Sequence, residues 1–248
     1  EFSVLDEEEK EGNIDAILPR SNVLIRPAVA NVDQALVVFA ITHPEPNLNL
    51  LDRFLVMMGI QGVPVTICFN KVDLGEAGLV DKYRAIYERA GYEVHFVSTY
   101  DDTGVEGVRK FLRGKTSVLA GPSGVGKSSL TNCIQPQAAM ETGDISRKIE
   151  RGRHTTRHSE LFYVEEKTYM MDTPGFSSMF IDCLESGELK DYFPEFGPYE
   201  DECKFLGCVH VGERVCGVKE ALKRGELSRS RYDNYILMYE DLKNKRRY

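Results

Sequence analysis

Residues 121–128 read Gly-Pro-Ser-Gly-Val-Gly-Lys-Ser, a full G-x-x-x-x-G-K-[ST] pattern set between the apolar run TSVLAG (116–121) and the helical-looking stretch that opens at Ser128 and Ser129. The spacing has a physical cause. Glycines at both ends let the loop of Gly121, Pro122, Ser123, Gly124, Val125 and Gly126 curl until its N–H groups face inward on phosphate oxygens, and the following helix adds the positive end of its dipole. Lys127 then reaches the β and γ phosphates of a nucleotide, and the Ser128 hydroxyl coordinates Mg2+. A glycine-rich turn that binds nothing is the competing reading, and the full match in this context disfavours it.

Two stretches downstream fit the same chemistry. MMDTPGF (170–176) presents D-x-x-G at the end of an apolar run, where Asp172 can hold Mg2+ through water and the Gly175 N–H can bond a γ phosphate. Between the two motifs, RGRHTTRHSEL (151–161) is polar and suits a mobile segment in which Thr155 or Thr156 completes the Mg2+ shell, with Thr156 preferred; an exposed basic loop is the alternative.

Phosphate loops accept ATP and GTP alike, so the base must be chosen elsewhere. In Asn70-Lys71-Val72-Asp73 the Asp73 carboxylate offers two acceptors at the spacing of the guanine N1–H and N2–H2 donors, a pair that adenine lacks. Leaving that carboxylate unpaired is costly enough to reject ATP. Asn70 is expected to tie this loop to the phosphate loop, and the Lys71 stem to lie along the purine face. Ser98 and Thr99, after YEVHFV, would turn a backbone amide toward guanine O6. The ligand so implied is GTP or GDP with Mg2+. The elements run base, base, phosphate, switch, switch along the chain. That order makes sense if the chain is circularly permuted, with one sheet and one site kept while the termini occupy another surface connection.

A separate cluster, C-x4-C-x-H-x5-C, supplies Cys203, Cys208, His210 and Cys216. Three thiolates and an imidazole close a tetrahedral Zn2+ shell with no open position for a catalytic water, so the expected role is structural. Reduced cysteines beside a stray histidine are the bland alternative. Cys68 and Cys133 lie in apolar runs and read as reduced core residues.

These groups need a scaffold that brings loops to one edge. Strand candidates at 35–42, 63–69, 92–98 and 116–121 alternate with helical patterns at 48–59, 81–91 (ending at Gly91) and 105–112. That rhythm predicts an α/β fold, a mostly parallel sheet with helices on both faces and ligands at the carboxyl ends of the strands. Beyond Asp172 the rhythm breaks, and the chain closes with a helix that places Tyr232, Tyr235, Ile236, Tyr239 and Leu242 on one face. The expected division is 1–31 as a β segment, 32–182 as the nucleotide domain and 183–248 as a zinc domain with a terminal helix.

With 248 residues, 42% hydrophobic and 28% charged, the chain has the composition of an ordinary globular protein. No apolar run approaches the roughly 18 residues of a membrane span, and the acidic N-terminus is unlike a signal or transit peptide, so a cytoplasmic protein is expected, by default a monomer. The net charge of −8 argues against wholesale non-specific nucleic-acid binding. A local footprint is still open at 224–232 and 242–248, where basic residues alternate with tyrosines; a solvated helix face explains the same pattern.

The permuted order, ANVDQALVVFA, LLDRFLV ahead of NKVDL, GRHTTRH, DTPGF and the C-x4-C-x-H-x5-C site together resemble the bacterial ribosome small-subunit-dependent GTPase A family, over residues 13–248. The resemblance implies a GTPase that binds the small ribosomal subunit and its 16S rRNA late in maturation and is stimulated by it, with an N-terminal OB domain and a C-terminal zinc domain. Residues 1–31 have room only for the last strand or two of an OB domain. Phe176 stands where Ras-like enzymes place a water-orienting glutamine, and the resemblance points instead to His154, acting with Lys127 and Thr156. A passive RNA-binding assembly module and a phosphate-loop kinase are the rival readings. The kinase leaves NKVD without a role.

Overall fold

The computed structural model describes residues 2–6, 11–25, 27–135 and 159–245. Its central sheet is assembled from β3 (Gln34–Ala40), β4 (Val65–Asn70), β5 (Val94–Phe96), β6 (Thr116–Ala120), β7 (Glu160–Glu165) and β8 (Thr168–Asp172) in the spatial order β5-β4-β3-β6-β8-β7. The first five in that order are parallel, and β7 closes the edge antiparallel to β8. All seven residues of β3 are buried, as expected of a central strand covered on both faces. β3 lies between β4 and β6, so the strands that lead into NKVD and into the phosphate loop flank one common neighbour.

The expected alternation holds, with local differences. The helix expected over 81–91 is α2 (Leu79–Tyr87), and Gly91 instead closes a following turn at φ +86°. The strand expected over 92–98 is ordered as β only at Val94–Phe96. α3 (Val105–Leu112) and α4 (Lys127–Ile134) fall where the periodicity places them. β7 was not foreseen: ELFYVE is a half-exposed edge strand, with Leu161 and Tyr163 open to solvent, so no buried apolar run marks it.

Helix α1 (Leu48–Ile60) buries Leu50, Leu51, Asp52 and the unbroken run Phe54–Met58. A helix buried on nearly every side needs cover on two faces. The sheet supplies one. The other comes from the chain beyond residue 182, which folds as two 3-10 segments, Ser186–Tyr192 and Pro194–Glu202, followed by α5 (Gly217–Lys223) and α6 (Arg229–Asn244). Phe193 and Phe196 stack there with centroids 5.3 Å apart, each meets Tyr235 edge-to-face at 5.1 and 5.0 Å, and one hydrophobic cluster runs from β3 and α1 through Leu189 and Phe193 into α6.

In the N-terminal segment β1 (Phe2–Asp6) and β2 (Glu11–Ile14) form a separate antiparallel pair, and an isolated bridge between Val23 and Ala30 follows. Among the described residues no helix is long and apolar enough to cross a membrane.

Candidate nucleotide site and metal centre

The phosphate loop leaves the carboxyl end of β6 and enters α4, as its spacing requires. Sterics select two of its glycines. A Cβ on Gly121, at φ +151°, would lie 2.1 Å from the Val38 carbonyl oxygen, and one on Gly126, at φ +92°, 2.3 Å from the Asn70 amide nitrogen. The Lys127 Nζ donates to the carbonyls of Gly121 and Pro122 at 2.8 Å each, which folds the lysine back over the loop. Burial lowers the pKa of Lys127, opposed by the charge of Asp172. Ser128 and Ser129 stand exposed on the first turn of α4.

Asp172 ends β8, the neighbour of β6, and the Thr173 hydroxyl donates to the Leu119 carbonyl at 2.8 Å. Burial raises the Asp172 pKa against the pull of Lys127, and its Oδ1 is buried without a hydrogen-bond partner. An orphaned carboxylate oxygen beside a phosphate loop suits a cation or its water shell, the role expected of a Mg2+ ligand in such sites. Gly175 is pressed on the loop: a Cβ there would lie 3.0 Å from the Ser123 nitrogen and 3.3 Å from Lys127 Nζ.

The base-reading loops arrive from the other side of β3. Asn70 ends β4, is fully buried and donates from Nδ2 to the Val125 carbonyl at 3.0 Å, while its Oδ1 accepts from the Lys71 N–H at 2.8 Å. Lys71, at φ +66°, donates from Nζ to the carbonyls of His43 at 2.5 Å and Gly124 at 2.8 Å. Its stem is thereby stretched across the phosphate loop. Asp73 sits exposed in the 3-10 turn Val72–Leu74. The Val72 N–H donates to the Val97 carbonyl at 3.2 Å, which joins this turn to the loop carrying Ser98 and Thr99. Ser98 is buried, with its N–H on the Thr103 carbonyl and its Oγ accepting from the Tyr100 N–H.

The residues from 70–73, 98–99, 121–129, 172 and 175 therefore share one edge of one sheet despite their order along the chain. His154, Thr155 and Thr156 lie outside the described residues. The His43 carbonyl that fixes Lys71 left no trace in the sequence, because every residue carries a carbonyl.

The second centre is self-contained. One ligand atom from each of Cys203, Cys208, His210 and Cys216 lies within 4.8 Å of the others. Sulfurs bound to one tetrahedral zinc lie about 3.8 Å apart, and a sulfur and an imidazole nitrogen about 3.5 Å. Here Cys203 Sγ and Cys216 Sγ are 4.0 Å apart, and His210 Nδ1 is 3.7 Å and 3.4 Å from them. The other imidazole nitrogen, Nε2, faces Glu200 Oε1 at 3.3 Å, the carboxylate partner that commonly orients a metal-bound histidine. The donor set is compatible with zinc.

The terminal helix braces this centre. The hydroxyls of Tyr232 and Tyr235 donate to the carbonyls of His210 and Val209 at 2.6 Å each. Neither reading of the basic 224–232 stretch holds throughout. Arg231 is fully buried, with Nη1 2.7 Å from Asp52 Oδ1 and Nε and Nη2 on Glu195 at 2.7 and 3.0 Å. Arg224 and Arg229 pair with Glu226 and Asp233. Part of the 242–248 stretch, 246–248, lies outside the described residues.

The family model described as RsgA GTPase matches residues 17–182. A small ribosomal subunit biogenesis GTPase RsgA of Agathobacter rectalis is 56% identical over 248 residues, all of this chain and 82% of that protein. Its counterpart in Alkaliphilus metalliredigens is 52% identical over all of this chain and 85% of its own length. Among solved structures, YjeQ from Thermotoga maritima superposes with a TM-score of 0.77 at 35% identity, covering 97% of this chain and 82% of that one. YloQ, described as a circularly permuted GTPase, does so with a TM-score of 0.76 at 37% identity over 98% of this chain and 79% of its own. The chain belongs to the RsgA GTPase family.

Proposed function

We propose that this chain is a GTP-hydrolysing switch that acts in the maturation of the small ribosomal subunit, contacts its 16S rRNA and is stimulated by the subunit. The observation that carries the reading is the Asn70 Nδ2 to Val125 carbonyl bond, which ties a guanine-selecting loop to a phosphate loop placed 55 residues later. Relatives of high identity bear the name small ribosomal subunit biogenesis GTPase. In this reading Asp73 accepts from the guanine edge, Lys71 floors the purine, and Ser98 and Thr99 present a backbone amide to O6. The loop Gly121–Ser129 cradles the phosphates, with Lys127 on the β and γ oxygens. Ser128, Asp172 and Thr156 hold Mg2+, with Thr155 the other candidate, and the Gly175 N–H senses the γ phosphate. Mg2+ would neutralise charge developing between the β and γ oxygens.

His154 positions or deprotonates the attacking water, since Phe176 has no polar group for that task. Cys203, Cys208, His210 and Cys216 hold a structural Zn2+ in a domain over 183–248, beside a nucleotide domain over 32–182 and a partial OB-like segment over 1–31. Docking of the subunit completes the site, so intrinsic turnover is slow.

The test is GTP turnover with and without purified small subunits, with ATP as control. Stimulation by the subunit and indifference to ATP are expected, and equal turnover of ATP would overturn the assignment. A passive RNA-binding module would instead bind the subunit equally well with GDP and with a non-hydrolysable GTP analogue.

A further inference from the structure

Phe176 follows Gly175 directly, and its ring stacks on Phe54 of α1 with centroids 5.3 Å apart and planes 3° from parallel. Phe54 is fully buried. Its helix is anchored two residues earlier, where both oxygens of Asp52 are taken: Oδ1 by Arg231 and Oδ2 by the Asn234 amide at 2.6 Å. Arg231 is held in turn by Glu195 and lies 4.6 Å from the centroid of the Phe193 ring. Phe54 is thus a fixed wall, and Phe176 stacks on it directly after Gly175, where an added Cβ would lie 3.0 Å from the Ser123 nitrogen and 3.3 Å from Lys127 Nζ.

We propose that Phe54 is a positioning residue for the nucleotide site, its ring holding Phe176 so that the Gly175 N–H stays drawn up where a γ phosphate binds. The proposal rests on the role given to Gly175 above. A preset turn costs less ordering when GTP binds, whereas GDP, lacking the γ phosphate, gains nothing from it. Phe54 therefore contributes to the preference for the triphosphate and to turnover without touching the nucleotide.

The experiment compares affinities for GDP and a non-hydrolysable GTP analogue, both with Mg2+, in wild type, Phe54→Leu, Phe176→Leu and the double variant. Leucine keeps a buried apolar side chain and removes the flat ring face, and melting of each variant checks its fold. Stacked aromatic pairs contribute enough to change an equilibrium about two- to ten-fold. Phe54→Leu should lower the analogue-to-GDP affinity ratio by that factor with GDP affinity unchanged, and the double variant should be no worse than Phe176→Leu alone. Restoration of the ratio by Phe54→Tyr would support the ring contact. A purely structural role predicts that both nucleotides weaken together. That result, an unchanged ratio, or additive single effects would overturn the proposal while guanine-nucleotide binding by wild type still stood. Wild type that bound neither nucleotide would overturn both this proposal and the assignment of the site.

Discussion

The nucleotide edge and the zinc-compatible centre are both built from loops, yet they treat polar groups in opposite ways. At the nucleotide edge, Asp172 Oδ1 is buried without a partner and Asp73 stays exposed. At the other centre four ligand atoms converge, Glu200 faces His210, and two tyrosine hydroxyls cap the loop carbonyls. The first arrangement leaves capacity for a ligand that comes and goes. The second turns its four ligand atoms, Glu200 and the tyrosine hydroxyls on one another, as a fold element does, although Glu213 Oε2 beside it is also buried without a partner. Substitutions in the first should reduce function with little loss of stability, and substitutions in the second should reduce stability first.

The sharpest way to break this contrast is to challenge the cysteine–histidine centre with a metal chelator. Structural zinc contributes on the order of 10 kcal/mol to the folding of the segment that binds it. A strong chelator should therefore release about one zinc per chain and abolish the near-ultraviolet circular dichroism of the packed tyrosines. Retention of that signal in metal-free protein would place the centre among ordinary cysteine clusters.

Next in size is Arg231→Met, which strands Asp52 and Glu195 without their shared cation. Removing one side of a buried pair costs about 3–5 kcal/mol, readable by urea denaturation. The same seam carries a pH signature. Burial raises the Asp52 pKa against the pull of Arg231. A raised folded-state value gives stability that is present at acidic pH and lost as pH rises through that value. Asp52→Asn should flatten the slope, and an unchanged slope would assign it to other groups.

Lys127→Ala tests the open site. Losing one charge that stabilises the transferring phosphate should cut turnover by about 100- to 1,000-fold, with the melting temperature near that of wild type. Smaller still, Asp73→Ala should reduce the guanine-over-adenine preference by about 10- to 100-fold in a competition assay, because the paired carboxylate is the proposed acceptor for the guanine N1–H and N2–H2 donors.

The motifs were legible because a ligand imposes its own geometry. Phosphate and guanine demand particular residue types at fixed short spacings, as does a tetrahedral metal, and the described ones among those residues lie on loops at one edge of the sheet and in one cysteine–histidine cluster. The helices of the α/β region were legible for a related reason, as their apolar periods survive in the sequence. The edge strand β7 was not, because Leu161 and Tyr163 are exposed and follow a polar stretch. Arg231 misled for a different reason. An arginine in a basic, tyrosine-containing stretch reads as solvent-facing, and its partner Asp52 is 179 residues away.

By itself, then, the sequence pointed to the ligands this protein is equipped for, since the chemistry lies in residue types within four to fourteen consecutive positions. Tertiary structure decided how those loops meet: that Asn70 spans to Val125, that Lys71 is fixed by a backbone carbonyl of His43, and that Phe54 stands behind Phe176. Such contacts join segments far apart in the chain through groups with no local signature. Only the folded sheet, by bringing the strand ends side by side, makes them close.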